Sequence, residues 1–68
     1  MMSDWKVFYR DDLDQDRTSA SSASEVAALQ QAKRLHFEQR AEIYRIEGPD
    51  NLILPKREVM RWMSANKP

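Results

Sequence analysis

The sequence contains no cysteine, one glycine and one histidine among its 68 residues. Without cysteine, the chain has neither a disulfide nor a thiolate zinc site to stabilise a small core. A single glycine is too few for a phosphate-binding loop, which needs several glycines close together. The histidine, His36, shares a predicted helix face with Arg40 rather than with a nucleophile or a carboxylate. The sequence therefore predicts no enzyme activity, no cofactor and no metal centre.

Long apolar runs are also missing. No segment approaches the roughly 20 apolar residues that are needed to cross a bilayer. Residues 1–6 (MMSDWK) lead into a strand-like run instead of the apolar centre of a signal peptide. We therefore expect a cytoplasmic protein that has no membrane partner.

The chain is short, and its charge is balanced but unevenly distributed. Its length predicts one domain spanning residues 1–68, and a domain of this size buries only about 60% of the surface that the unfolded chain exposes. Eleven basic and eleven acidic residues cancel. Residues 1–25 hold six acids and three bases, whereas residues 26–68 hold five acids and eight bases. This polarity would suit head-to-tail association or an acidic partner, although small domains often show it without using it.

Three segments have the composition of β-strands, namely residues 5–10, 41–47 and 51–54. Strict alternation along the first strand predicts two faces, one inward with Trp5, Val7 and Tyr9 and one outward with Lys6, Phe8 and Arg10. Along the second strand, the same rule groups Tyr44 with Ile46 and places Ile43 on the other face.

Two further segments join or extend these strands. Residues 48–51 (GPDN) predict a hairpin turn between the second and third strands, with a positive backbone angle φ at Gly48. Residues 18–22 are small and polar, and they form either a loop or a weak additional strand that folds back on the first strand.

Helical periodicity is present in residues 23–39 and 55–65. Ser22 and Glu25 have the spacing of a capping box at the start of the first helix, and Pro55 suits the first position of the second. The apolar face of the first helix comprises Ala28, Leu29, Ala32, Leu35 and His36, and that of the second comprises Val59, Trp62 and Met63.

These elements predict an α+β fold in which a three-stranded sheet carries two helices on one face. The first two strands, joined through a helix, would be parallel if they are adjacent; alternatively, the first strand pairs with the third. The layout of residues 5–10 (WKVFYR), 44–51 (YRIEGPDN) and 52–55 (LILP) resembles short bacterial proteins of unknown function. The resemblance implies an arrangement of strands and helices and no activity.

The acidic segment 10–17 (RDDLDQDR) places Asp12, Asp14 and Asp16 at alternate positions, like the first three ligands of an EF-hand loop. The later positions do not fit, because the sixth is Arg17 instead of glycine and the twelfth is Ala23 instead of glutamate. The pattern favours a solvated acidic loop over a calcium site.

If both helices cover one face of the sheet, apolar and basic side chains remain on the other face. Such a patch often marks an interface, although single exposed apolar residues are ordinary. We predict a non-enzymatic module that binds another protein or a second copy of itself, giving a homodimer. The predicted surface comprises Phe8, Arg10, Tyr44, Arg45 and Ile53.

The basic second half of the chain supports an alternative prediction, binding of a nucleic acid or another polyanion. The candidate residues are Arg34, Arg40, Arg57 and Arg61. Against this alternative, the net charge is zero and the isoelectric point is about 6.6, whereas nucleic-acid-binding domains are usually clearly basic.

Overall fold

A computed structural model describes residues 4–19 and 21–66. The fold is α+β, with two helices and an antiparallel sheet, but the sheet has four strands instead of the predicted three. In chain order the elements are β1 (Lys6–Arg10), β2 (Asp16–Thr18), α1 (Glu25–Gln39), β3 (Glu42–Glu47), a 3-10 turn (Pro49–Asn51), β4 (Ile53–Pro55) and α2 (Lys56–Ala65).

Strand β2 is the element that the three-strand prediction omitted. It pairs with β1 in an antiparallel hairpin that sets Phe8 opposite Thr18 and Arg10 opposite Asp16. The chain folds back on the first strand, as one of the two alternatives proposed, but β2 begins inside the acidic segment at Asp16 and ends at Thr18. All three residues of β2 are exposed, so the strand has none of the apolar alternation by which strands are recognised.

The hairpin turn is held by one carboxylate. Asp11 Oδ1 accepts hydrogen bonds from the backbone amides of Leu13 and Gln15, each at 2.9 Å, and the Asp11 carboxylate also pairs with Arg17. Asp14 adopts the left-handed conformation, with φ of 59°, which aspartate tolerates better than most residues. The acidic segment therefore forms an ordered turn between two strands.

The order of the strands in the sheet is β2-β1-β3-β4, and every neighbouring pair is antiparallel. The expectation that the first strand and the one after α1 would be parallel neighbours is wrong. Because β2 reverses the chain direction before α1 begins, β3 runs antiparallel to β1. The other alternative is also wrong, since β4 pairs with β3 and not with β1.

Helix α1 begins two residues later than predicted. Its N-cap is Ser24, whose hydroxyl accepts a hydrogen bond from the Ala27 amide at 3.2 Å, so the predicted cap at Ser22 is wrong. Ser22 instead forms two backbone hydrogen bonds with Trp5, at 2.8 and 3.1 Å. This bridge extends the edge of the sheet toward the helix.

The helices lie on the same face of the sheet, where α1 contacts β1, β3 and α2, and α2 contacts β3 and β4. Alanines on α1 allow the helix to approach the sheet closely. The buried core consists of Trp5, Val7, Ala28, Leu29, Ala32, Leu35, Ala41, Ile43, Ile46, Val59 and Met63. No helix within the described ranges has both the length and the apolar character required to cross a membrane.

A glycine is needed at position 48 because the Trp5 ring lies against it, and not because its φ is positive. Its φ is −117°, whereas the left-handed residues of this turn are Asp50 and Asn51. A Cβ atom at Gly48 would lie 2.5 Å from Cζ3 of Trp5. The Trp5 ring therefore occupies the space that any other side chain would need at this position.

The second helix follows β4 without a loop. Pro55 is the last residue of β4 and also the N-cap of α2, so the helix begins at Lys56, one position later than the predicted start at Pro55. Val59 and Met63 are buried in the core, and Trp62 and Met60 pack against it while partly exposed. The predicted apolar stripe of this helix thus faces the core.

Candidate functional site

The face of the sheet opposite α1 and α2, here called the open face, is not covered by any described element. Four of the five side chains predicted for a partner surface lie together on it. They form what we call the Arg–aromatic cluster, which consists of Phe8, Arg10, Tyr44 and Arg45. Three of the four are half-buried and Arg10 is exposed.

A bulge in β3 brings Tyr44 and Arg45 to the open face together. Phe8 pairs with Arg45, but the next residue of β1, Tyr9, pairs with Ile43, so Tyr44 is an extra residue in the ladder. An extra residue changes the alternation of faces by one position. The prediction that Tyr44 and Ile46 share one face and that Ile43 lies on the other is therefore wrong, because Ile43 and Ile46 are both buried.

Each arginine of the cluster lies over an aromatic ring. The guanidinium carbon of Arg45 is 4.3 Å from the centroid of the Phe8 ring, and that of Arg10 is 5.7 Å from the centroid of the Tyr44 ring. Both distances are within the roughly 6 Å at which a cation interacts favourably with a ring face. The four side chains therefore form two cation–π pairs on neighbouring strands.

Carboxylates fix the polar ends of the same side chains. Arg45 Nε is 2.6 Å from Glu47 Oε2, and Arg10 Nε is 3.7 Å from Asp16 Oδ1. The Tyr44 hydroxyl donates a hydrogen bond to Asp16 Oδ1 at 3.0 Å. Partial burial, followed by this hydrogen bond, raises the pKa of Tyr44 above its ordinary value of 10.0, so the hydroxyl remains a donor at neutral pH.

The fifth predicted residue, Ile53, lies on the open face but outside the cluster. It pairs with Glu47 in the edge strand β4, and directly paired residues project from the same face of a sheet. On the open face, the cross-strand neighbours Glu47 and Ile53 lie next to the cross-strand neighbours Phe8, Arg45 and Pro55. Ile53 is 57% exposed, so it adds an apolar margin to the open face.

Two residues that contact the Arg–aromatic cluster were not among the predicted site residues, namely Asp16 and Glu47. The sequence grouped Asp16 with the acidic loop, and only the pairing of β2 with β1 brings it to Arg10 and Tyr44. Asp16 could have been identified from the alternative in which the chain folds back on the first strand, because that pairing brings the acidic segment beside Arg10. Glu47 could have been found from its spacing, since it lies two residues after Arg45 on one strand.

The residues predicted to bind a polyanion lie on the helices and not on the open face. Arg34 pairs with Glu38 at 3.6 Å, and Arg61 pairs with Glu58 at 3.7 Å, each within its own helix. Arg40 is the left-handed C-cap of α1, and Arg57 is exposed in the first turn of α2. Arg34 lines a groove with Phe37, whereas Arg61 lines a different groove with Trp62.

The remaining residues considered for chemistry have structural contacts. The Nδ1 atom of His36 is 3.1 Å from the Ala41 carbonyl oxygen, and its ring makes an edge contact with Phe37. Asp14 lies in the hairpin turn and Asp16 in β2. In the part of the chain that the structure describes, no group of three histidine, aspartate or glutamate side chains is arranged to hold a metal ion.

Comparison with known proteins adds no relative. No protein-family model, curated protein or solved structure matches this chain. The geometry of the open face is therefore the basis of the functional proposal.

Proposed function

We propose that this chain is a non-enzymatic module that binds another protein through the open face of its sheet. The observation that carries the proposal is the Arg–aromatic cluster on a sheet face that no described element covers. Tyrosine, phenylalanine and arginine are enriched at protein interfaces, where a few such residues account for most of the binding energy.

The cluster is ordered before any partner arrives. Stacking and carboxylate contacts restrict both arginines, and the sheet backbone restricts both rings. A surface that is already ordered loses less side-chain entropy on binding than one whose long side chains are free. Guanidinium groups also remain effective when partly dehydrated, because they are more weakly hydrated than ammonium groups.

The competing proposal, binding of a nucleic acid or another polyanion, has less support. On the open face, Asp16 and Glu47 contact the same arginines that would have to bind phosphates. On the helices, Arg34 and Arg61 are paired with glutamates of their own helix. A polyanion would have to displace these carboxylates, and the zero net charge provides no long-range attraction.

Two further parts of the proposal come from the sequence. The lack of cysteine and the single histidine support a binding role over a catalytic one. A cytoplasmic location is part of the same proposal, supported by the absence of long apolar runs in the sequence.

Site-specific photo-crosslinking in cells tests the proposal. A photoreactive phenylalanine analogue is placed at Thr18, which pairs with Phe8 and lies on the open face, and separately at Arg34 on the outer side of α1. We expect protein adducts from position 18 and not from position 34. Nuclease-sensitive adducts at position 34 would support the polyanion proposal instead, and no protein adduct at position 18 would contradict ours.

A further inference from the structure

We infer that the partner of the open face is a second copy of this chain, packed face to face about a two-fold axis. This inference rests on the proposed function and names the partner of the same surface. It is drawn from the distribution of charge and of apolar side chains on the open face.

The charged side chains at outward positions of β1, β2 and β3 are equal in number and mixed in sign. The bases are Lys6, Arg10 and Arg45, and the acids are Asp16, Glu42 and Glu47. The sheet register sets Lys6 opposite Glu47 and Arg10 between Asp16 and Glu42, and Arg45 pairs with Glu47 along β3. The outward positions of these three strands therefore have no net charge and no region of a single sign, and Lys56 adds one base at the edge, where its Nζ is 3.4 Å from Glu42 Oε1.

A face with this pattern discriminates against strongly charged partners. An acidic peptide would gain contacts with three bases but would face as many acids at close range, and a basic peptide would meet the reverse. Like charges brought together at an interface oppose association. The pattern fits a partner whose own face also mixes both signs at the spacing of β-strands.

A second copy of the chain necessarily has such a face, because it has the same sequence and fold. In a two-fold interface the same patch is used by both subunits, so the patch must be complementary to itself. A surface with acids and bases side by side meets this condition, because a small offset places the bases of one copy over the acids of the other. A surface of a single sign could not do so.

The apolar groups are placed where a two-fold interface needs them. Phe8 is the middle residue of β1, between Thr18 on β2 and Arg45 on β3. Apart from Arg45, which stacks on the Phe8 ring, the charged positions of these strands lie at strand ends. An axis near Phe8 would bring the two Phe8 rings and the arginines stacked on them together and leave the strand-end charges around them. An apolar centre within a polar rim is the usual anatomy of an interface.

Dimerisation would also compensate for the small core. The exposed Ile53 and the half-buried Phe8 and Tyr44 would be removed from water by a second sheet. Chains of this size often need a disulfide, a metal or self-association to add to a limited core, and this chain has no cysteine.

Sedimentation over a concentration range gives the first test. Between about 1 μM and 1 mM, where weak homodimers assemble, we expect the mass to rise from 8.0 kDa toward twice that value. Phe8→Asp should weaken the dimer by at least about tenfold in Kd, as expected for a central interface residue. Phe37→Asp is the matched control, because Phe37 is an exposed phenylalanine on α1.

Charge complementation gives the second test and distinguishes a contact from a folding defect. One variant carries Arg10→Glu and Arg45→Glu, and the other carries Asp16→Lys and Glu47→Lys. Each alone should remain monomeric, since like charges would meet across the two-fold interface, and a 1:1 mixture should form a heterodimer. Circular dichroism of each variant checks that it is folded.

The outcomes separate this inference from the proposed function. A wild-type chain that stays at 8.0 kDa up to 1 mM overturns the second-copy inference; protein adducts at position 18 would then still support a different protein partner. A dimer that is lost in Phe37→Asp but not in Phe8→Asp would place the self-interface on α1 and overturn this inference, whereas the proposed function would still be decided by the adducts at position 18. A charge-swapped mixture in which no heterodimer forms would overturn the inference.

Discussion

The two faces of the sheet are built from the same strands but are stabilised in different ways. On the face covered by the helices, Val7, Ile43 and Ile46 are almost completely buried, and their stability comes from removing apolar surface from water. On the open face, the Arg–aromatic cluster is held by pairwise contacts between rings, cations and carboxylates. The comparison shows that one face is held by burial of apolar side chains and the other by pairwise polar and cation–π contacts, and it is the second face that we propose meets a partner.

The largest expected effect is on the covered face. Ile43→Ala should lower the free energy of unfolding by about 2–5 kcal/mol, because it leaves a cavity in the core. Ile53→Ala is the control on the same sheet and, at concentrations where the chain is monomeric, should change stability by less than about 0.5 kcal/mol, as is usual for exposed positions. Urea denaturation of both variants measures the difference. Equal effects would show that Ile43 is not inward and that the bulge in β3 is absent.

Gly48→Ala should have the next largest effect, again on the covered side. The new methyl group would overlap the Trp5 ring, and overpacking of this kind costs about 1–3 kcal/mol. Denaturation measures the cost, and Trp5 fluorescence in a Trp62→Phe background reports whether the ring is displaced. Trp5→Leu should reduce the cost of Gly48→Ala, since the clashing ring is gone. If the cost is the same in both backgrounds, the ring is not the cause.

A smaller effect on stability is expected from a change in Asp11, which holds the turn that positions β2. Backbone hydrogen bonds from Gln15, and then the contact with Arg17, lower the pKa of Asp11 below its ordinary value of 3.8. Because the folded pKa is the lower one, the stability from Asp11 is complete above pH 3.8 and is lost as the pH falls through the folded pKa. Asp11→Asn should therefore lose less stability than wild type on acidification below pH 3.8. Asp12→Asn should behave like wild type, and the same reduced acid sensitivity in Asp12→Asn would contradict this assignment.

The smallest effect concerns the open face itself. The hydrogen bond to Asp16 and the charge of Asp16 both raise the pKa of Tyr44, so Asp16→Asn should move it back toward 10.0. Tyrosinate absorbance in a Tyr9→Phe background follows Tyr44 alone, since the chain has two tyrosines. Asp14→Asn serves as the control. A Tyr44 pKa that is unchanged by Asp16→Asn would mean that β2 does not bring Asp16 to the cluster.

Much of the covered face could be predicted from sequence, because its signals are periodic. Apolar residues at helical spacing on α1 and α2, and alternation along β1, identified most of the residues that are buried. Strand β2 could not be found in this way, since all of its residues are exposed and its position depends on an Asp11 carboxylate that holds the turn.

The open face was predictable in composition but not in geometry. Alternation along β1 correctly assigned Phe8 and Arg10 to one face. On β3 the same rule failed, because Ile43 and Ile46 are three residues apart and only the bulge places both in the core. The bulge could have been suspected from the sequence, because two strongly apolar residues lie at an odd spacing within one strand. The contacts of Asp16 with Arg10 and Tyr44 then depended on the pairing of β2 with β1, which local sequence does not specify.

A dilution series followed by two-dimensional 1H–15N NMR tests the central claim most directly, because it reports both faces of the molecule in one experiment. If the open face is the interface, amide signals of β1, β2 and β3 around Phe8, Thr18 and Arg45 should shift with concentration, and those on the outer side of α1 should not. Shifts that centre on Phe37 or Trp62, or no shifts anywhere up to about 1 mM, would contradict the account.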